Sequence, residues 1–261
     1  MTTDWLSLSR EAAEDVRGVL TQLRGRAERE PVVSQGKGGD ETTAIDAAAE
    51  AVVLARFERR GAIVSEEAGT FGEGPPVIVV DPIDGSLNAK RGIPFFSLSI
   101  AVAEGWTMDD VFFGYVYDFG SGEEWWAERG GGAWLDGVRL GSERPKDRIE
   151  ILSFEATLTS SVAERAAAVV GIAYRLRIMG SLALSLCHLA AGRVDGVCSL
   201  KGARAVDIAA GQLLVRECGL AIDLFETPPF GAAPLDVEAR SRLVAAGTPD
   251  QCTLLATALR S

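Results

Sequence analysis

The segment of residues 81–88, DPIDGSLN, constrains this chain more than any other. It follows the apolar run 77–80, so Asp81 is expected at the end of a buried strand. The segment then offers two carboxylates, a backbone carbonyl between them, and a Gly-Ser pair that can open a helix. Carboxylate and carbonyl oxygens suit a hard cation such as Mg²⁺, and N–H groups at a helix start suit a phosphate. The segment therefore predicts metal-assisted phosphate chemistry.

Further acidic residues support this interpretation, although Asp-Pro and Asp-Gly are also ordinary turn dipeptides. Glu66 and Glu67 follow the apolar run 62–64, so they are expected to emerge from a second strand end. Asp207 lies in a run of small and apolar residues, where a lone Asp is more often a helix N-cap than a ligand. Because the other acidic groups need partners, Asp207 is included as a candidate metal ligand.

Composition narrows the partners of this chain. Its 261 residues, of which 47% are hydrophobic, can bury one large core or two small ones. The net charge of −11 argues against a nucleic-acid partner. An acidic chain would also repel an anionic phosphate substrate unless cations intervene. The charge balance therefore favours a metal-loaded acidic site.

The cysteine pattern and the lack of a targeting signal predict a reducing, cytoplasmic setting. Neither a secretory signal nor an apolar run long enough to cross a bilayer is evident, so no membrane partner is expected. The four cysteines lack a Cys-x-x-Cys pair and are expected to be small buried hydrophobes rather than disulfide or zinc ligands. His188, the only histidine, lies in an apolar segment and is expected to be packed. A histidine general base is therefore disfavoured.

Hydrophobic periodicity predicts an α/β chain in two parts. Helices are predicted over 5–26, 43–59, 160–170, 181–192, 206–217 and 249–259. Strands are predicted over 62–65, 77–80, 96–103, 111–117, 124–127, 133–135, 149–153, 175–178, 196–199, 220–224 and 242–246. The rhythm changes after the polar stretch 141–148. We expect one domain with an antiparallel-rich α+β lobe over 1–146 and an α/β lobe over 147–261.

The acidic motifs, in this order, resemble those of the inositol monophosphatase family. The matching features are DPIDGS in segment 81–86, the preceding Glu-Glu and the distal DIAAG in segment 207–211. Segments 38–46, 129–137 and 180–187 resemble the family's early loop, glycine-rich hairpin and substrate-side helix. The resemblance implies a Mg²⁺-dependent, lithium-sensitive phosphatase with a layered αβαβα sandwich and its active site between two lobes. It also implies a homodimer.

The resemblance further implies a set of metal ligands. Glu66, Asp81 and the carbonyl of Ile83 would hold a first Mg²⁺. Asp81, Asp84 and Asp207 would hold a second, and Glu66 would help to hold a third, weaker ion. Mn²⁺ would substitute for Mg²⁺.

Catalytic roles follow from the same motif match. The N–H groups of Gly85 and Ser86 would orient the phosphate. The Ser86 hydroxyl, hydrogen-bonded to Asp46, would help to deprotonate a metal-bound water that attacks in line. Ser86 departs from the family's more frequent threonine, and the missing methyl group loosens its rotamer. Glu67 either orients a metal-bound water or is a solvated neighbour, and these alternatives stay open.

Substrate choice is less constrained. Segments 40–50 and 89–97 resemble archaeal-type members that act on both inositol monophosphate and fructose 1,6-bisphosphate. Gly180 and Ser181 would contact substrate. A bisphosphate needs a second anion pocket, which Lys201 and Arg204 would rim unless they form a solvent-facing basic pair.

Two other functions stay open. Histidinol phosphate phosphatases share these metal motifs, whereas Leu87 and Asn88 disfavour an adenosine bisphosphate nucleotidase. A catalytically idle family member with a regulatory or binding role is the alternative of another class.

Overall fold

The computed structural model describes residues 3–37, 39, 41–155, 158–226 and 229–260. The helices within these ranges are α1 (Trp5–Gln22), α2 (Arg26–Arg29), α3 (Ala44–Phe57), α4 (Ser86–Arg91), α5 (Thr159–Ala166), α6 (Leu182–Ala190), α7 (Ala205–Glu217) and α8 (Pro249–Arg260).

The described ranges also contain fifteen strands. They are β1 (Val32–Gln35), β2 (Glu41–Thr43), β3 (Ala62–Ser65), β4 (Gly69–Phe71), β5 (Val77–Asp84), β6 (Ser97–Ala103), β7 (Val111–Asp118), β8 (Glu124–Glu128), β9 (Gly132–Leu135), β10 (Val138–Arg139), β11 (Ile149–Glu155), β12 (Ala173–Arg177), β13 (Gly196–Ser199), β14 (Ala221–Leu224) and β15 (Leu243–Ala246).

An eight-stranded sheet has the strand order β10-β9-β8-β7-β6-β5-β3-β4. Its neighbouring strands are antiparallel except for β3 and β5, which run parallel with Ala62 opposite Val77 and Ser65 opposite Val80. Because the carboxyl ends of parallel strands meet at one edge, the acids that follow β3 lie beside those at the end of β5. This pairing positions the candidate site.

A five-stranded sheet has the order β12-β11-β13-β15-β14. Strands β12, β11 and β13 are parallel neighbours, whereas β15 is antiparallel to both β13 and β14. Strands β1 and β2 form a separate antiparallel pair. Within the described residues, the largely antiparallel eight-stranded sheet thus precedes the mixed five-stranded sheet along the chain.

Three apolar clusters stack these elements into five layers. The first packs α1 and α3 against one face of the eight-stranded sheet, where Ile78 and Val80 point. The second packs α6 and α7 between the two sheets, and Val77 and Val79 point into it. The third packs α8 against the outer face of the five-stranded sheet, with Leu255 in its centre. The αβαβα sandwich is confirmed, and burial of both faces explains the continuous apolar run in β5.

Most predicted elements are present within a few residues of their predicted bounds. Helix α1 ends at Gln22 rather than at residue 26, because the chain turns and Gly25 adopts an extended conformation that starts α2. The ring of His188 stacks on Phe95 at a centroid distance of 5.6 Å, and burial lowers its pKa. All four cysteines are free. None of the helices in the described ranges combines the length and the apolar character that a membrane span requires.

Candidate metal centre and active site

Three carboxylates converge beside the end of β5. Asp81 is 1% exposed and Asp84 is 8% exposed, and Asp207 lies in the first turn of α7. Each offers one oxygen, and these oxygens all lie within 4.8 Å of one another. An all-carboxylate set of this kind matches the hard-cation preference of Mg²⁺ and Mn²⁺. The residues therefore fit a divalent metal, and the cluster lies between the eight-stranded sheet and the middle helical layer.

Burial and mutual repulsion shift the ionisation of this cluster. Burial, reinforced by Glu66, Asp84 and Asp207, raises the pKa of Asp81 well above its ordinary value. Burial and Asp207 raise the pKa of Asp84 to about 7. Burial also raises the pKa of Glu66 to about 8, against the opposing effect of Arg204. Negative charge is costly here, and a bound cation would relieve that cost.

Arg204 supplies positive charge to the same acids. Its guanidinium pairs with Glu66 and lies 3.4 Å from Oδ1 of Asp207. Arg204 is also the N-cap residue of α7, and its backbone N–H donates to Oδ2 of Asp207 at 2.7 Å. The expectation that Arg204 rims the cleft is therefore wrong. The carboxylate of Asp207 folds back over the helix start and holds the arginine, which is 9% exposed, inside the cluster, whereas Lys201 is exposed.

The predicted substrate-side segment, residues 180–187, contacts Asp84 directly. Oδ2 of Asp84 accepts hydrogen bonds from the Ser181 hydroxyl at 2.5 Å and from the Ala183 N–H at 2.7 Å. Ser181 is the N-cap of α6, and its hydroxyl oxygen also accepts from the N–H of Leu184. The N–H of Gly180 donates to Glu155 at 2.9 Å. This segment therefore orients Asp84 through its Oδ2.

Gly85 and Ser86 turn the chain from β5 into α4. Gly85 has φ +95°, and a Cβ there would lie 3.0 Å from the carbonyl oxygen of Gly180, so the turn requires glycine. The Ser86 hydroxyl donates to the carbonyl of Ile83 at 2.9 Å. The predicted bond from Ser86 to Asp46 is not formed in the structure. Ser86 is the first residue of α4, three positions after Ile83, so its hydroxyl reaches back to that nearby carbonyl.

Asp46 instead accepts hydrogen bonds from Thr43. Its Oδ2 accepts from both the N–H and the hydroxyl of Thr43, which is the N-cap of α3. Its Oδ1 is buried and has no hydrogen-bond partner among the described residues. A buried carboxylate oxygen without a donor is costly, so this oxygen retains capacity for a proton or a hydroxyl.

Glu67 and its support lie beside this group. Oε2 of Glu67 accepts from the Thr42 hydroxyl, and burial raises the Glu67 pKa although this hydrogen bond opposes the shift. Glu50, on α3, accepts from the Ser65 hydroxyl and from the N–H groups of Glu67 and Ala68. These hydrogen bonds therefore hold the turn that carries Glu66 and Glu67 against α3.

Glu50 and Glu155 are site residues that the sequence analysis missed. Glu50 accepts hydrogen bonds from the turn that carries Glu66 and Glu67, and Glu155 accepts one from Gly180, a candidate substrate contact. Glu50 ends the family-like segment 40–50 and is a charge on the largely apolar buried face of α3, but neither feature indicates its role. Glu155 ends an apolar strand, as the recognised acids do, but it lies outside the matching motifs.

The chain is similar to known proteins over most of its length. The model of the inositol monophosphatase family matches residues 3–261. A fructose-1,6-bisphosphatase/inositol-1-monophosphatase of Methanothermobacter thermautotrophicus is 34% identical over 93% of this chain and 92% of its own. The Nus factor SuhB of Escherichia coli is 37% identical over 71% of this chain and 72% of its own. A solved inositol monophosphatase-fructose 1,6-bisphosphatase superposes with a TM-score of 0.87 at 25% identity, covering 98% of this chain and all of that one.

Proposed function

Because the chain belongs to the inositol monophosphatase family and is a phosphoric monoester hydrolase of the sugar-phosphate type, we propose that its catalysis depends on Mg²⁺. The observation that carries this proposal is the convergence of Asp81, Asp84 and Asp207 within 4.8 Å in a buried setting. Such a cluster would be strongly self-repelling without a cation.

The ligands would be those expected from the motif. Asp81, Asp84 and Asp207 would share two ions, and Glu66 would join them on the side of β3. The carbonyl of Ile83 would contribute once the Ser86 hydroxyl no longer donates to it. When bound, the ions would offset the charge of the phosphate and lower the pKa of a coordinated water. Mn²⁺ has the same ligand preference and would substitute.

The protein's own groups would orient the substrate and handle the proton. The first N–H groups of α4 lack carbonyl partners within that helix, so those of Gly85 and Ser86 would orient the phosphate. The unpartnered Oδ1 of Asp46 would accept a proton, reached by the Ser86 hydroxyl when it rotates away from Ile83. Glu67, whose pKa is raised by burial, would act as a second acid or base.

We propose inositol 1-phosphate, fructose 1,6-bisphosphate or both as substrates. The name of the Methanothermobacter relative supports both. Lys201 and Arg204 are the two cations predicted to bind a second phosphate. Because Arg204 is buried in an ion pair with Glu66, only Lys201 of these two would be available, which favours inositol 1-phosphate. Histidinol phosphate remains an alternative substrate. A regulatory or binding role is the alternative of another class, supported by the identity with the Nus factor.

A turnover screen tests the proposal. Inositol 1-phosphate, fructose 1,6-bisphosphate, histidinol phosphate and adenosine 3′,5′-bisphosphate would each be incubated with the protein in Mg²⁺, in Mn²⁺ and in chelator. We expect Mg²⁺-dependent release of phosphate from one of the first two. Absence of hydrolysis of all four by folded, metal-loaded protein would contradict an enzymatic role and favour the regulatory one.

The family resemblance supports a further proposal on the setting of the activity. We infer that residues 1–146 and 147–261 form two lobes of one phosphatase domain, which acts in the cytoplasm as a homodimer. Analytical ultracentrifugation of the purified protein tests the dimer. A monomer at micromolar concentration would contradict it.

A further inference from the structure

Glu155 is a buried glutamate that lies near the site but does not belong to the acid cluster of Asp81, Asp84 and Asp207. Glu155 ends β11 in the five-stranded sheet and is 2% exposed. Its Oε1 accepts from the hydroxyls of Ser153 at 2.9 Å and Ser185 at 2.6 Å. Its Oε2 accepts from the N–H of Gly180 at 2.9 Å. Both carboxylate oxygens are therefore engaged, and the side chain is held in one orientation.

The hydrogen bond to Gly180 connects Glu155 to the acid cluster through the next residue, Ser181. Gly180 has φ +90° and precedes Ser181, whose hydroxyl donates to Oδ2 of Asp84. On its other side the segment is held by Asn88, whose side-chain amide donates to the carbonyl of Met179 at 2.8 Å. Glu155, at the end of β11, and Asn88, on α4, thus both hold the segment. The segment also contacts Asp84 through Ser181 and Ala183, and its Ser181 hydroxyl lies 3.5 Å from that of Ser97.

We propose that Glu155 is a positioning residue for the Asp84 side of the metal centre, acting through Gly180 and Ser181. The inference rests on the proposed metal dependence. It adds that the five-stranded sheet controls metal affinity from a residue that is not itself a ligand. Groups that orient metal ligands typically change metal affinity by about 10- to 100-fold when altered.

Two conservative variants separate this role from a simple charge effect. Glu155→Gln keeps the side-chain length and an oxygen acceptor for the N–H of Gly180, while the serine hydroxyls can turn to accept from the new amide. It removes the charge. Glu155→Asp keeps the charge but withdraws the carboxylate by one methylene from Gly180. Positioning therefore predicts that the Asp variant is impaired and the Gln variant is not.

The experiment is titration calorimetry of chelator-treated protein with Mn²⁺ alone. We expect Glu155→Asp to weaken Mn²⁺ binding by about tenfold and Glu155→Gln to stay within about threefold of the parent. In a Ser181→Ala background, Glu155→Asp should cost far less than tenfold, because the link to Asp84 is already broken.

A matched control comes from the other end of β11. Asp195 is also largely buried, and its Oδ2 accepts from the N–H groups of Glu150 and Ile151. Asp195→Ala should lower thermal stability and leave Mn²⁺ affinity unchanged. This control separates general destabilisation from a specific effect on the metal centre.

The outcomes are distinguishable. Parent-like affinity in Glu155→Asp, or an equal loss in Glu155→Gln, would overturn the positioning role while leaving the metal-dependent function intact. Failure of the parent protein itself to bind Mn²⁺ would overturn both this inference and the proposed function.

Discussion

The guanidinium of Arg204 pairs with the carboxylate of Glu66, joining the start of α7 to the turn after β3. The pair is largely shielded from solvent, with side-chain exposures of 11% and 13%. Asp207 lies on the other side of the same guanidinium. An arginine thus balances part of the negative charge at the centre where a metal is proposed, and removing it should affect the whole site.

We predict that Arg204→Ala destabilises the metal-free protein. Breaking a buried ion pair leaves uncompensated charge, which typically costs about 3–5 kcal/mol. Because the arginine lies within the acid cluster, its loss should alter turnover of inositol 1-phosphate and fructose 1,6-bisphosphate by the same factor. Urea unfolding in chelator and steady-state kinetics with both substrates measure the two effects.

Lys201→Ala is the control for that variant, since Lys201 is exposed and precedes the same helix. It should change stability by less than about 0.5 kcal/mol. A loss confined to the bisphosphate in Arg204→Ala would instead restore the expected phosphate contact.

Asp81→Asn should have the opposite effect on the metal-free protein. The pKa of Asp81 is raised by burial and by three neighbouring acids, so removing its charge relieves repulsion. Differential scanning calorimetry in chelator should show a Tm higher by about 2–4 °C, which corresponds to about 1 kcal/mol in a chain of this size. Saturating Mg²⁺ should no longer stabilise the variant, and turnover should fall by about a hundredfold or more. Near-normal turnover of the folded variant would remove Asp81 from the proposed site.

The raised pKa values also predict how stability depends on pH. Burial raises the pKa of Glu66 to about 8 and that of Asp84 to about 7, above the unfolded values of about 4. The folded state therefore binds more protons between about pH 4 and 8, so the metal-free protein should lose stability as pH rises through this window. Affinity for Mn²⁺ should increase over the same range, because the ligands must lose their protons.

Thermal melts in chelator from pH 5 to 8.5, with and without Mn²⁺, measure both trends. Asp81→Asn should flatten the metal-free curve, because one of the repelling charges is gone. A metal-free Tm that rises toward pH 8 would contradict the predicted ionisation of the cluster.

Ser86 provides a test of the proton path. If its hydroxyl serves catalysis, Ser86→Ala should lower kcat by about 10²- to 10⁴-fold, the range for general acid–base groups. Ser86→Thr keeps the hydroxyl and restricts its rotamers, so it should match or exceed the parent. If the hydroxyl only holds the carbonyl of Ile83, Ser86→Ala should cost about 1 kcal/mol of stability and leave kcat unchanged. Stopped-time phosphate release and urea unfolding distinguish these results.

Several parts of this site could be predicted because they depend on local pattern. The apolar runs before Glu66 and before Asp81 each predict a strand, and acids that follow parallel strands meet at one edge. The small apolar run around Asp207 predicts a helix start. These signals are periodic and short-range, so strand and helix positions in the layered fold follow from them.

Other parts depend on side-chain direction, which the local pattern does not encode. The three-residue spacing between Arg204 and Asp207 is the same whether Arg204 lines the rim of the cleft or lies within the acid cluster. The Asp207 carboxylate accepts the N–H of Arg204 at the helix start, and the guanidinium lies inside the cluster. Glu155 reaches the site through Gly180, a contact between distant segments. The hairpin of β1 and β2 was missed because β1 is fully exposed and shows no alternation of apolar residues.

Glu67 is the acid whose role the motif constrains least. A substitution at Gly36 can test that role, because Gly36 packs against the Glu67 side chain. Glu67→Gln should lower kcat by about tenfold or more if its carboxylate assists catalysis. A Cβ on Gly36 would lie 2.1 Å from Oε2 of Glu67 and 3.1 Å from the Thr42 hydroxyl. Gly36→Ala should therefore displace Glu67 from Thr42 and lower kcat without changing any acid in the cluster.

Gly18→Ala is the matched control, because a Cβ at that position of α1 has no neighbour within 4 Å among the described residues. It should leave kcat unchanged and, within a helix, stabilise the protein by about 0.5–1 kcal/mol. Steady-state kinetics at saturating Mg²⁺ and calorimetric melts compare the three variants. A fall in kcat for Gly36→Ala with normal kcat for Glu67→Gln would assign the effect to packing of the β1–β2 hairpin. Normal kcat in both would exclude Glu67 from catalysis, because its displacement and its neutralisation would then be equally harmless.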